Sequence, residues 1–367
     1  MYILKDKKLE ITLLISITLI SIFGLIMVYS ASNIWAEYKY NDAFKYVRHQ
    51  TIFFIIGYIG MLIISKTNYQ KYLKRANLLL LGCIILLILV AIPGIGMVRN
   101  GSRSWFGIGS FGIQPSEFTK LALIIFTSKY LVNNEKNMKF IIKGVLPILG
   151  VTLFVFGLIM LQPDFGTGVI IVMSIIGLLF IGGVNLKLFV GMGIVGVVGI
   201  TGLILVAPYR MSRILSYLNP WSDPLGSGFQ IIQSLYAIGP GGLFGLGFGN
   251  SIQKHFYLPE PQTDFIFAII SEEFGFLGIL IVSILFLTII INGFKISKRC
   301  KDLFGKYLSF GITFQLAFQT VLNLMVVVGL IPVTGVTLPF LSYGGSSLLI
   351  TLCSMGILLN ISRYNRY

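Results

Sequence analysis

Apolar residues in this chain fall in long unbroken runs. They show neither the alternation of a half-buried strand nor the one-sided stripe of a surface helix. Residues 11–28, 78–92, 170–181 and 279–291 are nearly free of charge. A helix that is apolar on every side belongs in a large core or in lipid, and crossing a bilayer takes about 20 such residues. Extending each run to its flanking polar positions predicts ten spans. They fall at about 10–30, 50–65, 77–95, 114–131, 144–160, 166–182, 188–207, 264–292, 307–330 and 344–362. The expected fold is an all-α polytopic membrane protein with one transmembrane domain over residues 1–367. Two connections on one side are long, at about 98–113 and 208–263. A structureless loop as long as the second would be unusual, so it is expected to carry structure of its own. Residues 211–218 read as a short amphipathic helix ended by Asn219-Pro220, and residues 229–238 as another.

Composition agrees. Of 367 residues, 56% are hydrophobic and 11% charged, and the mean hydropathy is +0.89. A soluble domain cannot hide that much apolar surface. The 41 glycines fit helices packing closely in lipid.

The net charge of +15 would point to nucleic acid if the basic residues formed a patch. They follow topology instead. With the N-terminus cytoplasmic, the inner segments carry 19 basic residues, among them Lys66, Lys71, Lys74, Arg75 and the group Lys295–Lys306, and the outer segments carry 8. That asymmetry places both termini in the cytoplasm. The small-residue run Ser30-Ala31-Ser32 resembles a signal-peptide cleavage site, but the apolar stretch before it is too long for one, so the first span is read as retained. Cys83, Cys300 and Cys353 are far apart, and His49 and His255 lack ligand-type neighbours in sequence. A zinc enzyme is not expected.

Four segments carry candidate chemistry. In Gln114-Pro-Ser-Glu-Phe-Thr-Lys120, Pro115 suits the first turn of a helix, and Ser116 or Gln114 could cap it. Glu117 and Lys120 then share one face. They form either a structural ion pair or the charged wall of a cavity, and these readings are compatible. Leu161-Gln-Pro-Asp-Phe-Gly166 reads mainly as a tight turn with Asp164 capping the next helix. In Pro259-Glu-Pro-Gln-Thr-Asp-Phe-Ile-Phe267, a polar loop becomes an apolar segment at Asp264. A carboxylate there is either a helix cap or a functional group. Residues 264 and 272 are eight apart, so they are expected to share a helical face about two turns apart. Glu272 and Glu273 then line a polar vestibule below Asp264 or form a junction with neighbouring helices. The last segment, residues 329–347, sets prolines, glycines and hydroxyls, including Ser342 and Ser346, at membrane depth. Irregular backbone there must be buried in protein or line a wet cavity.

These four segments, in this order and over nearly the whole chain, resemble the SEDS family (FtsW/RodA/SpoVE) of bacterial peptidoglycan polymerases. The ending Asn360-Ile-Ser-Arg-Tyr364 is most similar to the FtsW/SpoVE division and sporulation branch. Pro261-Gln262 departs from the Ala-His type of pair expected before Thr263-Asp264. The resemblance implies a ten-helix fold in the bacterial cytoplasmic membrane and lipid II as substrate, the undecaprenyl pyrophosphate-linked disaccharide-pentapeptide. The implied reaction is β-1,4 polymerisation with inversion, releasing undecaprenyl pyrophosphate. By motif match, Asp264 corresponds to the family's essential carboxylate, and Glu117 and Lys120 to its paired charges. Arg103, Lys120, Arg210 or a divalent cation could offset the pyrophosphate charge. The implied partners are a class B penicillin-binding protein transpeptidase and the division or elongation machinery, with no nucleic acid. A lipid II flippase is the alternative, since the same charges and broken helices suit a carrier. A scaffold that only recruits other wall enzymes is the third reading.

Overall fold

The computed structural model describes residues 2–99, 101–108, 111–206 and 208–364. The side chains of residues 2–6, 108, 111, 200, 203 and 208–210 lie outside that description.

Twelve α-helices carry the described architecture. They are α1 (Tyr2–Tyr40), α2 (Lys45–Ile64), α3 (Gln70–Ala91), α4 (Pro115–Asn133), α5 (Leu146–Met160), α6 (Phe165–Ile181), α7 (Leu186–Val206), α8 (Pro208–Leu218), α9 (Phe229–Ile238), α10 (Ile266–Arg299), α11 (Leu303–Val327) and α12 (Gly345–Tyr364). Among the described residues, eight helical segments are long and apolar enough to cross a membrane, α5 counting together with the helical turn Ile141–Val145 before it. The exceptions among the expected spans are α4, which carries Glu117 and Lys120, and α6, which is 17 residues long.

The helices follow the expected spans with shifted ends. Helix α1 runs on to Tyr40, and α10 reaches Arg299. The long connection between α7 and α10 holds α8 and α9 where amphipathic helices were expected. One departure from an all-α fold lies in the loop after α3. Strands β1 (Met97–Arg99), β2 (Ser102–Ile108) and β3 (Phe111–Ile113) form an antiparallel sheet in the order β1-β2-β3. The strands are too short, and too broken by Gly101 and Gly107, to show a period-2 signal.

Helices α4, α11 and α12 form the middle of the bundle. Helix α12 packs on α2, and also against α1, α4 and α11; α11 packs on α4, α6 and α10. Their buried faces carry Leu123, Ile124, Leu308, Ile312, Leu352 and Leu358, all within the main apolar core. Polar side chains on the same faces bond to backbone within the bundle. Asn360, for example, donates to Ser65 O at 3.0 Å and accepts from Tyr69 N at 2.9 Å.

Between α11 and α12, residues 328–344 form no helix or strand. Backbone groups in such a break need partners from elsewhere. Gln50 on α2 supplies two, donating to Ser342 O at 3.0 Å and accepting from Gly344 N at 3.1 Å. Helix α1 comes close to the break at Gly24, where a Cβ would strike Phe340 O.

A second irregularity lies in α10. Gly275 has φ 60° inside the helix. The loop after α9 folds against this kink and pairs with it through backbone hydrogen bonds. Leu246 N and Gly247 N donate to Glu272 O and Glu273 O at 2.9 and 3.0 Å, while Phe276 N and Leu277 N donate to Gly242 O and Leu243 O at 2.9 and 3.1 Å. A Cβ on Gly275 would lie 2.6 Å from Gly241 O, and one on Gly245 would strike Glu273 O. Glycine is required here by both conformation and space.

Candidate active site

Asp264 stands in a turn two residues before the start of α10. The helix N-cap is Phe265, and no side chain caps it. The capping role open to Asp264 is therefore not taken, and Asp264 does not share a helical face with Glu272. Three bonds hold its loop from outside. Asn323 Nδ2 donates to Asp264 O at 2.8 Å, Ser342 Oγ to Thr263 O at 2.6 Å, and Tyr343 N to Gln262 O at 2.8 Å. The half-buried carboxylate faces the broken segment. A Cβ at Gly335, where φ is 74°, would lie 3.8 Å from Asp264 Oδ2.

Burial pushes the Asp264 carboxyl up to about 6, with Glu260 and Asp164 adding in the same direction and Arg213 opposing. Desolvation and like charge both disfavour the ionised form. Glu260 comes from the same loop, Asp164 from the turn before α6, and Arg213 from α8. Arg213 also donates to Val333 O at 2.8 Å in the broken segment. A carboxyl tuned towards neutrality is suited to accept a proton near physiological pH.

Asp164 caps α6 as expected, accepting from Thr167 N at 3.2 Å. It also accepts from Gln114 Nε2 at 2.9 Å, so the Gln114 side chain bridges turns and does not cap α4, whose N-terminus has no side-chain cap. Burial raises the Asp164 carboxyl, and both Glu117 and Lys120 act on it electrostatically. Asp164 thus links Asp264 to the α4 charges. A Cβ on the next residue but one, Gly166, would lie 2.6 Å from Thr334 O, so this turn abuts the broken segment too.

Glu117 and Lys120 are buried and paired at 2.9 Å. Lys120 Nζ also donates to Gln319 Oε1 at 3.0 Å, and Gln319 Nε2 donates to Thr337 O at 3.0 Å. Glu117 lines a small cavity with Gln315, Gln319, Pro339, Thr351 and Ser354. The pair ties α4 to α11, and its acid meets a small polar void.

The remaining expected residues divide. Ser342, in the broken segment, joins it to the Asp264 loop: its Oγ donates to Thr263 O and also accepts from Leu338 N at 2.8 Å. Ser346 joins the sheet to α12, accepting from Gln114 N at 3.1 Å and donating to Gly112 O at 3.2 Å. Arg103 lies on β2 opposite Val98, its stem against Gly96, and its Nε is buried without a hydrogen bond. Arg210 is in α8, but its side chain lies outside the described residues. Glu272 and Glu273 form a junction and not a vestibule. Glu273 accepts from Ser30 Oγ at 2.6 Å and pairs with Lys254 at 3.1 Å, and Glu272 accepts from Ser251 Oγ at 2.5 Å and Ile252 N at 2.8 Å. Among the described residues, no group of three or more His, Cys, Asp and Glu side chains is placed to hold a metal ion. Sequence reasoning did not single out Gln319, Asn323, Gln50, Glu260 or Arg213 for this region. Amides spaced i,i+4 in the otherwise apolar α11 were the available signal.

The family model for the FtsW/RodA/SpoVE cell cycle proteins matches residues 10–367. The chain is 54% identical over 363 residues to stage V sporulation protein E of Bacillus subtilis (strain 168), covering 99% of each chain. It is 40% identical over 356 residues to the probable peptidoglycan glycosyltransferase FtsW of Geobacter sp. (strain M18), covering 96% of each. Among solved structures, it superimposes with TM-score 0.79 and 30% identity on a chain of a peptidoglycan synthase complex, covering 96% of this chain and 97% of that one. The rod shape determining protein RodA of Thermus thermophilus gives TM-score 0.71 at 27% identity, with 97% of each chain covered. Full-length sequence similarity and a shared fold lead to one assignment: this chain belongs to the FtsW/RodA/SpoVE family and is a multi-pass bacterial membrane protein.

Proposed function

We propose that the protein is an inverting peptidoglycan glycosyltransferase that polymerises lipid II, with Asp264 as the general base. One observation carries the reading: the Asp264 carboxylate caps no helix, is half-buried, and is raised to about 6 by burial and acidic neighbours. The proton on the 4-hydroxyl of the acceptor GlcNAc passes to Asp264 as that oxygen attacks C1 of the donor MurNAc. The C1–oxygen bond to pyrophosphate breaks in the same displacement, so the α donor gives a β-1,4 product. Undecaprenyl pyrophosphate leaves with the bonding pair. A positioned base of this kind contributes about 10²–10⁴-fold.

The leaving anion needs positive charge nearby. Arg213 acts electrostatically on Asp264 and is the described cation best placed to serve. Lys120 is already offset by Glu117. A divalent cation, if used, would arrive with the pyrophosphate, because hard cations at phosphates rely on substrate oxygens. Helices α4 and α6 are read as two further spans, which bring the eight to ten, with Asp264 on the extracytoplasmic side. A class B penicillin-binding protein transpeptidase is the proposed partner, in keeping with the likeness to a chain of a peptidoglycan synthase complex.

The test is to incubate the purified protein, with and without its transpeptidase, with labelled lipid II, alongside Asp264→Asn. Glycan polymer from wild type and about 10²–10⁴-fold slower synthesis by the variant is the expected result. Translocation in liposomes without polymer would identify a flippase. Neither activity would leave a scaffold.

A further inference from the structure

Helix α11 places two amide side chains, Gln319 and Asn323, one turn apart on its inner face. Both are buried, and each spans two parts of the site. Gln319 accepts from Lys120 Nζ and donates to Thr337 O, both at 3.0 Å. Asn323 donates to Asp264 O at 2.8 Å and to Val336 O at 2.7 Å. Val336 and Thr337 are consecutive in the broken segment. The two amides therefore fasten Lys120 and Asp264, from elements far apart in sequence, to adjacent peptide groups of one strap.

The Asn323 bonding pattern argues for this role. Its Oδ1 is buried and accepts no hydrogen bond, an arrangement that costs free energy. Reversing the amide would set that oxygen against two carbonyl oxygens, so the orientation follows from the network. The residue is fitted for its two N–H groups, and both go to site backbone.

Resting on the glycosyltransferase reading, we propose that Asn323 and Gln319 are positioning residues that fix the Asp264 carboxylate relative to Lys120. Neither amide is placed to touch the reacting atoms. Without Asn323 the Asp264 loop keeps its ties to Ser342 and Tyr343 but loses its tie to α11. Displacement of about 1 Å in a reacting group can cost roughly 10²-fold in rate.

The experiment measures lipid II polymerisation by the full-length protein with its transpeptidase, for wild type, Asn323→Ala, Asn323→Ser and Gln319→Leu. Serine keeps one donor in a small side chain and serves if alanine prevents folding. Asn323→Ala is expected to lower kcat by about 10²-fold with KM little changed, and Asn323→Ser to fall between it and wild type. The acid limb of the rate profile should move to lower pH in Asn323→Ala, because a loosened loop hydrates Asp264. Glu260, Asp164 and Arg213 also act on that carboxylate, and none of them is altered. A merely structural role would reduce the yield of folded protein but leave kcat per folded molecule and the pH profile unchanged; that result, or an unimpaired Asn323→Ala, would overturn the proposal. Absence of polymer from wild type would instead overturn the glycosyltransferase reading.

Discussion

Acidification should silence polymerisation through Asp264 at a pH where ordinary carboxylates remain ionised. With its carboxyl at about 6, roughly nine-tenths of the protein holds the base form at pH 7, half at pH 6, and about a tenth at pH 5. Rate limited by that base should fall about tenfold between pH 7 and pH 5. A carboxyl at its ordinary 3.8 would lose less than about a tenth of its activity over the same range. The assay is kcat/KM for lipid II against pH, with protein integrity checked at each point. Charge changes should move the limb in opposite directions. Glu260→Gln removes a repulsion and should shift it to lower pH, while Arg213→Gln removes a favourable charge and should shift it upwards. Asp264→Asn should cost about 10²–10⁴-fold and abolish the limb. Stability should respond with the reverse sign. The folded-state value of Asp264 lies above its unfolded value, so folding loses stability as pH rises from about 4 through about 6. Asn lacks this cost, so the variant should unfold at no lower temperature than wild type at pH 7. An acid limb near 4, or normal polymerisation by Asp264→Asn, would refute the reasoning.

Other outcomes follow from bonds elsewhere in the molecule. Lys254→Met leaves Glu273 buried beside Ser30 without its cation and should cost about 3–5 kcal/mol; an unchanged unfolding midpoint in detergent would count against the junction. Gly275→Ala must adopt a positive φ and meet Gly241 O and Gly245 N, costing at least about 1–3 kcal/mol, which yield and thermal unfolding will show. Ser342→Ala removes the donor to Thr263 O and the acceptor for Leu338 N. It should lose about 1–3 kcal/mol for each buried group left unsatisfied and polymerise more slowly per folded molecule.

The helices were legible because lipid-facing and core-facing sides are both apolar, and a run of such residues marks a span whatever its neighbours. The polar pieces were harder. Asp264 stood out because a carboxylate ends the polar loop, and Glu117-x-x-Lys120 because opposite charges shared one turn. Asp164 was read first as a turn and cap, a role it fills, yet its second oxygen serves Gln114. That bond depends on which turn α4 meets, and spacing along the chain does not specify it. Glu272 and Glu273 were ambiguous for the same reason: their partners Ser30, Ser251 and Lys254 come from distant segments. The β1–β3 sheet escaped notice because strands of three to seven residues between glycines leave no periodic trace.

The loop that grips α10 at its kink has a consequence for variation. Over residues 242–247 its grip is made of peptide groups, so the side chains of Leu243 and Phe244 are free to change. Leu243 and Phe244 point outward and are exposed. In a saturation mutagenesis screen, this stretch would show intolerance at Gly241 and Gly245, matched by Gly275 across from them, with permissive positions at Leu243 and Phe244. A hydropathy profile would rank those positions the other way round.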